Sequence, residues 1–120
     1  MSKKLLIKVT CGTDAAERCN QAFTVAATAL TAGAEVSLWL TGEAAWFALP
    51  GKAEEFELPY AAPLADLLAA VLAGGSVTLC TQCAVRRDIN ESDVREGIVI
   101  AGSPSFVEEA MADNVQALVY

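Results

Sequence analysis

The chain has 120 residues, of which 54% are hydrophobic, and its 15 acidic and 8 basic side chains give a formal net charge of −7. This length predicts a single domain, residues 1–120. The negative charge excludes nucleic acid as the main partner, because nucleic-acid-binding proteins use positive charge to neutralise phosphates. The absence of histidine excludes Ser-His-Asp triads, Cys-His nucleophile pairs and histidine metal ligands. Any chemistry must therefore use cysteine, carboxylate, hydroxyl or backbone groups.

The first part of the chain predicts a strand, a long helix and a second strand. Lys4–Val9 has the continuous apolar centre of a strand buried on both faces. Asp14 with Glu17 three residues later predicts a capped helix start, and Gly33 predicts the helix end. Glu35–Leu40 is the second predicted strand. The helix carries one apolar stripe that we expect to face the core: Cys19, Ala22, Phe23, Ala26, Ala27 and Leu30.

The rest of the chain continues this alternation. Helices are predicted over residues 63–72, 81–87 and 103–114, opened by a proline or by a capping threonine or serine. Short apolar runs predict three more strands, Ser76–Cys80, Ile98–Ala101 and Val115–Val119. Strands that alternate with helices form a parallel sheet with helices on both faces. The predicted fold is therefore a three-layer α/β/α single domain with a five-stranded, mostly parallel sheet.

Location and assembly are predicted from the apolar and charged residues. The apolar run between Lys4 and Lys8 is too short to be the apolar region of a signal peptide, so we expect a cytoplasmic protein. The uncharged residues 67–85 approach the length of a membrane span, but two glycines and several polar residues interrupt them. A helix, a turn and a strand are favoured there, with no membrane as partner. The high apolar content of so short a chain predicts a homo-oligomer.

Residues 41–62 stand apart because they contain half of the eight aromatic side chains, between glycines and prolines. Two interpretations remain open for this segment. It covers a functional site or a subunit contact, or it is a surface loop held down by its own aromatic residues. The four aromatic residues are Trp46, Phe47, Phe56 and Tyr60.

Two cysteines at a predicted strand-to-helix junction are the strongest candidates for chemistry. Cys80 ends the third strand and Cys83 lies in the first turn of the next helix, at the edge of the sheet where ligands and reactive groups collect. A thiol reacts as its thiolate, which the free N–H groups and dipole of a helix N-terminus stabilise. Arg86 and Arg87 are candidates for a supporting positive charge. The opposing interpretation is a pair of inert, buried thiols.

The other two cysteines are predicted to differ from this pair. Cys19 belongs to the apolar stripe and is assigned to the core. Cys11 follows the first strand, so it is kept as a supporting candidate whose proximity to Cys80 depends on the order of the strands. Four cysteines in a reducing compartment predict thiols rather than structural disulfides.

Residues 79–89, with the sequence LCTQCAVRRDI, resemble the active-cysteine segment of the DsrE/DsrF/TusD-like sulfur-relay family. The resemblance extends in outline over nearly the whole chain, including the AGAEV entry to the second strand and the final VQALV strand. It implies a small cytoplasmic three-layer protein that assembles as trimers or hexamers and carries sulfur as a persulfide on Cys80. Asp88 stands where the family usually has glycine, which predicts a difference at that helix end.

The leading functional hypothesis is a sulfur carrier or sulfurtransferase that takes sulfur from a donor protein and passes it to an acceptor protein. Cys80 is the predicted nucleophile, and Cys83 releases the sulfur by attacking Cys80. One alternative is a non-catalytic oligomeric binding or structural protein with inert cysteines, and another is a thiol redox protein that cycles a Cys80–Cys83 disulfide. A zinc site is the weakest option, because Cys19 is assigned to the core and Cys11 has no C-x-x-C neighbour. No cofactor or metal is expected.

Overall fold

The computed structural model describes residues 3–120, which form five strands. These are β1 (Lys4–Val9), β2 (Glu35–Leu40), β3 (Ser76–Cys80), β4 (Ile98–Ala101) and β5 (Val115–Val119). The five predicted strands are confirmed with the bounds that the apolar runs indicated. Runs this short and this rich in valine, isoleucine and leucine favour strands over helices because β-branched side chains fit a pleated surface.

The same residues form five α-helices between the strands. They are α1 (Ala16–Thr31), α2 (Lys52–Glu55), α3 (Leu64–Gly74), α4 (Thr81–Arg86) and α5 (Ser103–Ala110). In α1 the first four members of the predicted stripe, from Cys19 to Ala26, are fully buried, and Ala27 and Leu30 are half-buried. The uncharged residues 67–85 form most of α3, a turn and β3, as predicted, and continue into α4. No helix within residues 3–120 is both long and apolar enough to span a membrane.

Two predicted helix ends are corrected. The Asp14 cap is wrong: a short 3-10 helix, Thr13–Ala15, precedes α1, and the Asp14 carboxylate accepts the Gly12 N–H at 2.8 Å instead of capping the helix. The last helix ends at Ala110 rather than near Asn114. Asn114 has a φ of 61°, which lies in the left-handed region and does not continue a right-handed helix.

The predicted difference at the end of α4 is also wrong. Asp88 has a φ of 54° and so adopts the left-handed conformation that glycine takes most easily. The Ile89 N–H donates to the Ala84 carbonyl at 2.9 Å, and the Asp88 N–H donates to the Val85 carbonyl at 3.2 Å. This is the bonding pattern of a Schellman helix end, so aspartate reproduces at this position the geometry that a glycine would give.

The sheet has the strand order β4-β3-β2-β1-β5, and each neighbouring pair within the described residues is parallel. Helices α1 and α3 lie against each other and against β1, β2 and β3 on one face. That face holds the main core, which includes buried residues of four strands and of α1 and α3. A parallel sheet is normally covered by helices on both faces, and in this protein the second face is covered less completely than the first.

On the second face, α5 supplies the cover. Phe106 contacts Trp39 edge to face, with ring centroids 5.4 Å apart. The Glu109 carboxylate accepts the Trp39 indole N–H at 2.9 Å and pairs with the Lys4 ammonium at 2.9 Å. Val99 and Val119, on the outer strands of the same face, stay 59% and 64% exposed. One short helix therefore covers the centre of this face and leaves apolar side chains exposed on the outer strands.

The aromatic segment lies on the α1 side of the sheet. It begins with a 3-10 helix, Gly42–Ala48, and continues into α2. Phe47 packs edge to face against Phe23 of α1 at 6.0 Å and against Phe56 at 5.7 Å. Its own aromatic residues therefore hold the segment to the core, as one of the two interpretations predicts. Tyr60, by contrast, is fully exposed.

Candidate functional site

Cys80 occupies a junction with no intervening loop. It is the last residue of β3 and also the N-cap of α4, with φ −65° and ψ 128°. Strand geometry at Cys80 passes directly into helical geometry at Thr81, so the first N–H groups of α4, which lack partners within the helix, lie beside the Cys80 side chain. The thiol is half-buried. The sequence prediction placed both cysteines correctly relative to this helix.

The surroundings of Cys80 favour its thiolate. Burial acts to raise the pKa of the thiol and is the largest single influence. It is outweighed by the backbone N–H and thiol of Cys83, the backbone N–H of Gln82 and the positive charge of Lys8, so the pKa of Cys80 is lowered. A half-exposed thiol with a lowered pKa is the form in which cysteine acts as a nucleophile.

Cys83 lies one turn into α4 and is only 8% exposed. Its Sγ accepts the backbone N–H of Gly42 at 3.2 Å, which joins α4 to the loop after β2. Gly42 has a φ of 53°, and a Cβ there would overlap the Thr10 carbonyl oxygen. The loops that follow β1 and β2 thus meet the start of α4 at one edge of the sheet, and Cys83 is buried beside Cys80 rather than exposed to solvent.

The two arginines take different positions. Arg87 donates from Nε and Nη2 to one Glu43 oxygen, at 3.2 and 2.8 Å, and from Nη1 to the Cys83 carbonyl at 3.2 Å. Its guanidinium also lies 5.9 Å from the ring centroid of Trp46. Arg86 is exposed in the last turn of α4. The structure therefore ties Arg87 to Glu43 and to the backbone, and a role for either arginine toward sulfur stays a prediction.

Cys11 is not brought to Cys80. The strand order places β2 between β1 and β3, so Cys11 and Cys80 follow strands that are not neighbours. Burial raises the pKa of Cys11, although Arg18 acts in the opposite direction. Burial raises the pKa of Cys19 to about 12, as its assignment to the core predicts. Within residues 3–120 no cluster of three cysteine or carboxylate side chains is arranged to hold a metal ion.

Lys8 is a site residue that the sequence prediction missed. It lies in β1, and the register aligns it with Trp39 of β2, which aligns with Thr78 of β3. Paired residues in a parallel sheet share a face, and residues two apart on a strand do as well, so Lys8 and Cys80 share the α5 face. One sequence signal was available: Lys8 interrupts the apolar run of residues 5–9.

A cavity of about 380 Å³ opens near the same edge. Glu43, the partner of Arg87, forms part of its wall together with Trp46, Lys52 and Phe56. Neither thiol of the C-x-x-C pair lines this cavity. The Cys80 thiol therefore lies outside this cavity, at the junction of β3 and α4.

Known protein structures share this architecture. The YchN protein of Escherichia coli superposes with a TM-score of 0.75 at 18% identity, covering 98% of this chain and 100% of that one. A protein of unknown function from Methanobacterium thermoautotrophicum, MTH1491, gives a TM-score of 0.70 at 9% identity over 99% of this chain and 100% of that chain. At these identities the likeness establishes the fold, a five-stranded parallel α/β domain.

Sequence comparison identifies the family. An uncharacterised protein of Methanocaldococcus jannaschii, MJ0760, is 32% identical over 114 residues, which cover 94% of this chain. This chain spans only 42% of the length of that relative. The sequence profile of the DsrE/DsrF-like family matches residues 3–117. The chain therefore belongs to the DsrE/DsrF-like family.

Proposed function

We propose that this protein is a sulfur carrier with sulfurtransferase activity, which holds sulfur as a persulfide on Cys80. The observation that carries the proposal is the half-exposed Cys80 thiol at the N-cap of α4, with a pKa lowered by the amides of Gln82 and Cys83. The same amides are positioned to stabilise an additional anionic sulfur atom. The resemblance of residues 79–89 to a sulfur-relay segment supports the same assignment.

Loading requires no net oxidation or reduction. The Cys80 thiolate attacks the outer sulfur of a donor persulfide, a Cys80–sulfur bond forms, the donor sulfur–sulfur bond breaks, and the donor leaves as a thiolate. Transfer to an acceptor repeats this exchange, because the acceptor thiolate attacks the outer sulfur and Cys80 departs as thiolate. Donor and acceptor are accordingly proteins that present a persulfide and a thiol, respectively.

Cys83 provides a second route for discharge. Its thiolate attacks the inner sulfur of the Cys80 persulfide, a Cys80–Cys83 disulfide forms, and hydrosulfide leaves. An external dithiol then reduces the disulfide and restores both thiols. The buried position of Cys83 beneath Cys80, with its Sγ on the Gly42 amide, suits this secondary role better than attack on a donor.

The contact between the two thiols also favours a second candidate function. The Cys83 side chain interacts with the Cys80 sulfur, and such a pair can cycle between dithiol and disulfide without carrying sulfur. The two functions predict different changes in the mass of the protein: a carrier gains one sulfur atom from a persulfide donor, whereas a redox protein loses two hydrogens. The intact mass of the treated protein separates them.

The test is the intact mass of the reduced protein after brief exposure to a persulfide donor. We expect the native protein and Cys83→Ser to gain one sulfur atom and Cys80→Ser to gain none. Cys19→Ser is the matched control, because it removes a thiol from the core without touching the site. Loading that survives in Cys80→Ser would overturn the proposal.

Assembly and location belong to the same proposal. We place the carrier in the cytoplasm because its four cysteines are free thiols, the form that a reducing compartment maintains. We also propose a homo-oligomer, a trimer or hexamer, in which exposed Val99, Val107 and Val119 around α5 become buried. Sedimentation equilibrium should give the oligomer mass, and Val99→Asp should lower it. A monomer at every concentration would contradict this part.

A further inference from the structure

Lys8 is a charged residue within a core strand. Its neighbours Ile7 and Val9 are fully buried on the α1 side of the sheet, whereas Lys8 itself is half-buried on the α5 side. Placing an ammonium group there costs desolvation energy, which a core strand normally avoids by using an apolar residue. The position therefore calls for an explanation beyond strand formation.

The lysine ammonium is held by an aromatic ring. Its Nζ lies 4.2 Å from the ring centroid of Phe106 in α5, a cation–π distance. The four ion pairs within residues 3–120 use Lys4, Lys52, Arg87 and Arg95, and Lys8 is in none of them. Phe106 thus fixes the ammonium without neutralising its charge, so its positive field is available to neighbouring groups.

The start of α5 places this ammonium near the sulfur site. The Phe106 N–H donates to the Gly102 carbonyl at 3.3 Å, so the ring is one turn from the amino end of α5. A Cβ on Gly102 would lie 3.8 Å from the Thr81 hydroxyl, which shows that α4 and α5 begin side by side. Phe106 therefore links Lys8 to the edge of the sheet where Cys80 lies.

Within residues 3–120, the groups other than Lys8 that act on the Cys80 sulfur are a thiol and backbone amides, which carry no positive charge. From α4 the sulfur meets the thiol of Cys83 and backbone amides. From β4 its aligned neighbour is Ala101, and the first turn of α5 carries only Ser103, Pro104 and Ser105. The carboxylates of Glu109 in α5 and of Glu43 in the segment after β2 are bonded elsewhere, to Lys4 and to Arg87.

Resting on the proposed function, we propose that Lys8, positioned by Phe106, is the cation that stabilises anionic sulfur on Cys80, as thiolate before loading and as persulfide anion afterwards. The site accordingly takes its sulfur from anionic donors, a class that includes persulfide anions. The Lys8 charge also favours the Cys80 thiolate over the thiol. A cation fixed over a ring is better suited to this task than a mobile surface lysine, because its distance to the sulfur is held constant.

The test is the pH dependence of Cys80 alkylation, followed site by site by peptide mass. In Lys8→Met we expect the midpoint to move to higher pH and the rate at neutral pH to fall by roughly threefold, because the thiolate fraction falls. Lys8→Arg should restore the native midpoint, since it returns the charge. Lys3→Met, which removes an exposed lysine at the opposite end of β1, should leave it unchanged.

The outcomes separate this proposal from the carrier function. An unchanged midpoint in a folded Lys8→Met protein would overturn the role of Lys8, even if Cys80 still loads sulfur. Failure of Cys80 to load sulfur would overturn the carrier function, and the midpoint of Cys80 would still be measurable. If Lys8→Met does not fold, Phe106→Leu gives the second test: it should shift the midpoint in the same direction by less, and no shift would overturn the proposal.

Discussion

The molecule contains two pairs of thiols with a similar arrangement along the chain but different surroundings for the cysteine at the strand end. In each pair one cysteine lies at the carboxyl end of a strand and the other lies in the helix that follows: Cys80 with Cys83, and Cys11 with Cys19. The pKa of Cys80 is lowered, whereas burial raises the pKa of Cys11 and takes that of Cys19 to about 12. Placement at a strand end therefore does not by itself activate a thiol.

The difference lies in the backbone that follows each strand. At Cys80 the chain enters α4 at once, so the free amides of the first helical turn lie beside the sulfur. After Cys11 the chain passes through Gly12 and a 3-10 helix, and Cys11 is 3% exposed in the core. Arg18 lies near Cys11 and acts to lower its pKa, yet burial prevails. Helix amides and solvent access therefore influence the pKa of a strand-end cysteine more than a nearby basic side chain does.

The largest expected effect is a difference in reactivity between the two pairs. In the native protein Cys80 should be alkylated about a thousand times faster than Cys19 at neutral pH, because the thiolate fraction and the exposure both favour it. Site-resolved mass spectrometry of a time course measures this ratio. In denaturant all four thiols should react at similar rates, which serves as the control. Alkylation of Cys11 or Cys19 before Cys80 would reverse the comparison.

A second expected difference is the effect of each thiol on stability at alkaline pH. The raised pKa of Cys19 means that the fold favours the protonated thiol, so its contribution is complete below its ordinary pKa of 9.0 and is lost as the pH rises toward about 12. Over that range this group alone lowers the free energy of unfolding by about 1.4 kcal/mol per pH unit. Cys80 has the opposite sign: its lowered pKa adds stability above the unfolded-state value, and that contribution is lost as the pH falls through the folded-state pKa.

Urea unfolding at several alkaline pH values tests these signs. Above pH 9, Cys19→Ala should flatten the loss of stability relative to the native chain. Below pH 9, Cys80→Ser should remove a gain of stability that the native chain shows as the pH rises from the lowered pKa of Cys80 toward 9.0. All other side chains are the same in the three proteins, so their contribution cancels in the differences. Equal slopes in the native protein and in Cys19→Ala would show that Cys19 does not have the raised pKa.

The strands were predictable because each is a short apolar run bounded by residues that end strands. β3 and β4, for example, lie between glycines and helix starts. Helix ends were less predictable, since Asp14 bonds to Gly12 and Asn114 adopts a left-handed conformation. Both helix ends depend on a backbone conformation that many different sequences can adopt, so the sequence alone does not determine them. The 3-10 helix Gly42–Ala48 was missed because its position is fixed by the packing of Phe47 against two other rings.

The part of the candidate site that is formed by residues close in sequence was predictable. The part that is formed by contacts between distant residues was not. Cys80 and Cys83 are adjacent to a helix start that the sequence itself indicates, so their relation to α4 was predicted. The placement of Lys8 on the same face as Cys80 requires the order β3-β2-β1, which no local pattern contains. The attachment of Arg87 to Glu43 likewise joins residues 44 positions apart and could not be inferred from the helix spacing.

The smallest expected effect concerns Arg87, the arginine beside the Cys80–Cys83 pair. Because Glu43 neutralises Arg87 and Arg87 bonds to the Cys83 carbonyl rather than to sulfur, Arg87→Gln should change Cys80 alkylation by less than about twofold. The ion pair is partly exposed, so its loss should cost below about 1 kcal/mol of unfolding free energy. A double-mutant cycle with Glu43→Gln, read by urea unfolding and by alkylation rate, measures both quantities. A tenfold loss of Cys80 reactivity in Arg87→Gln alone would mean that basic charge, rather than helix amides, distinguishes the two thiol pairs.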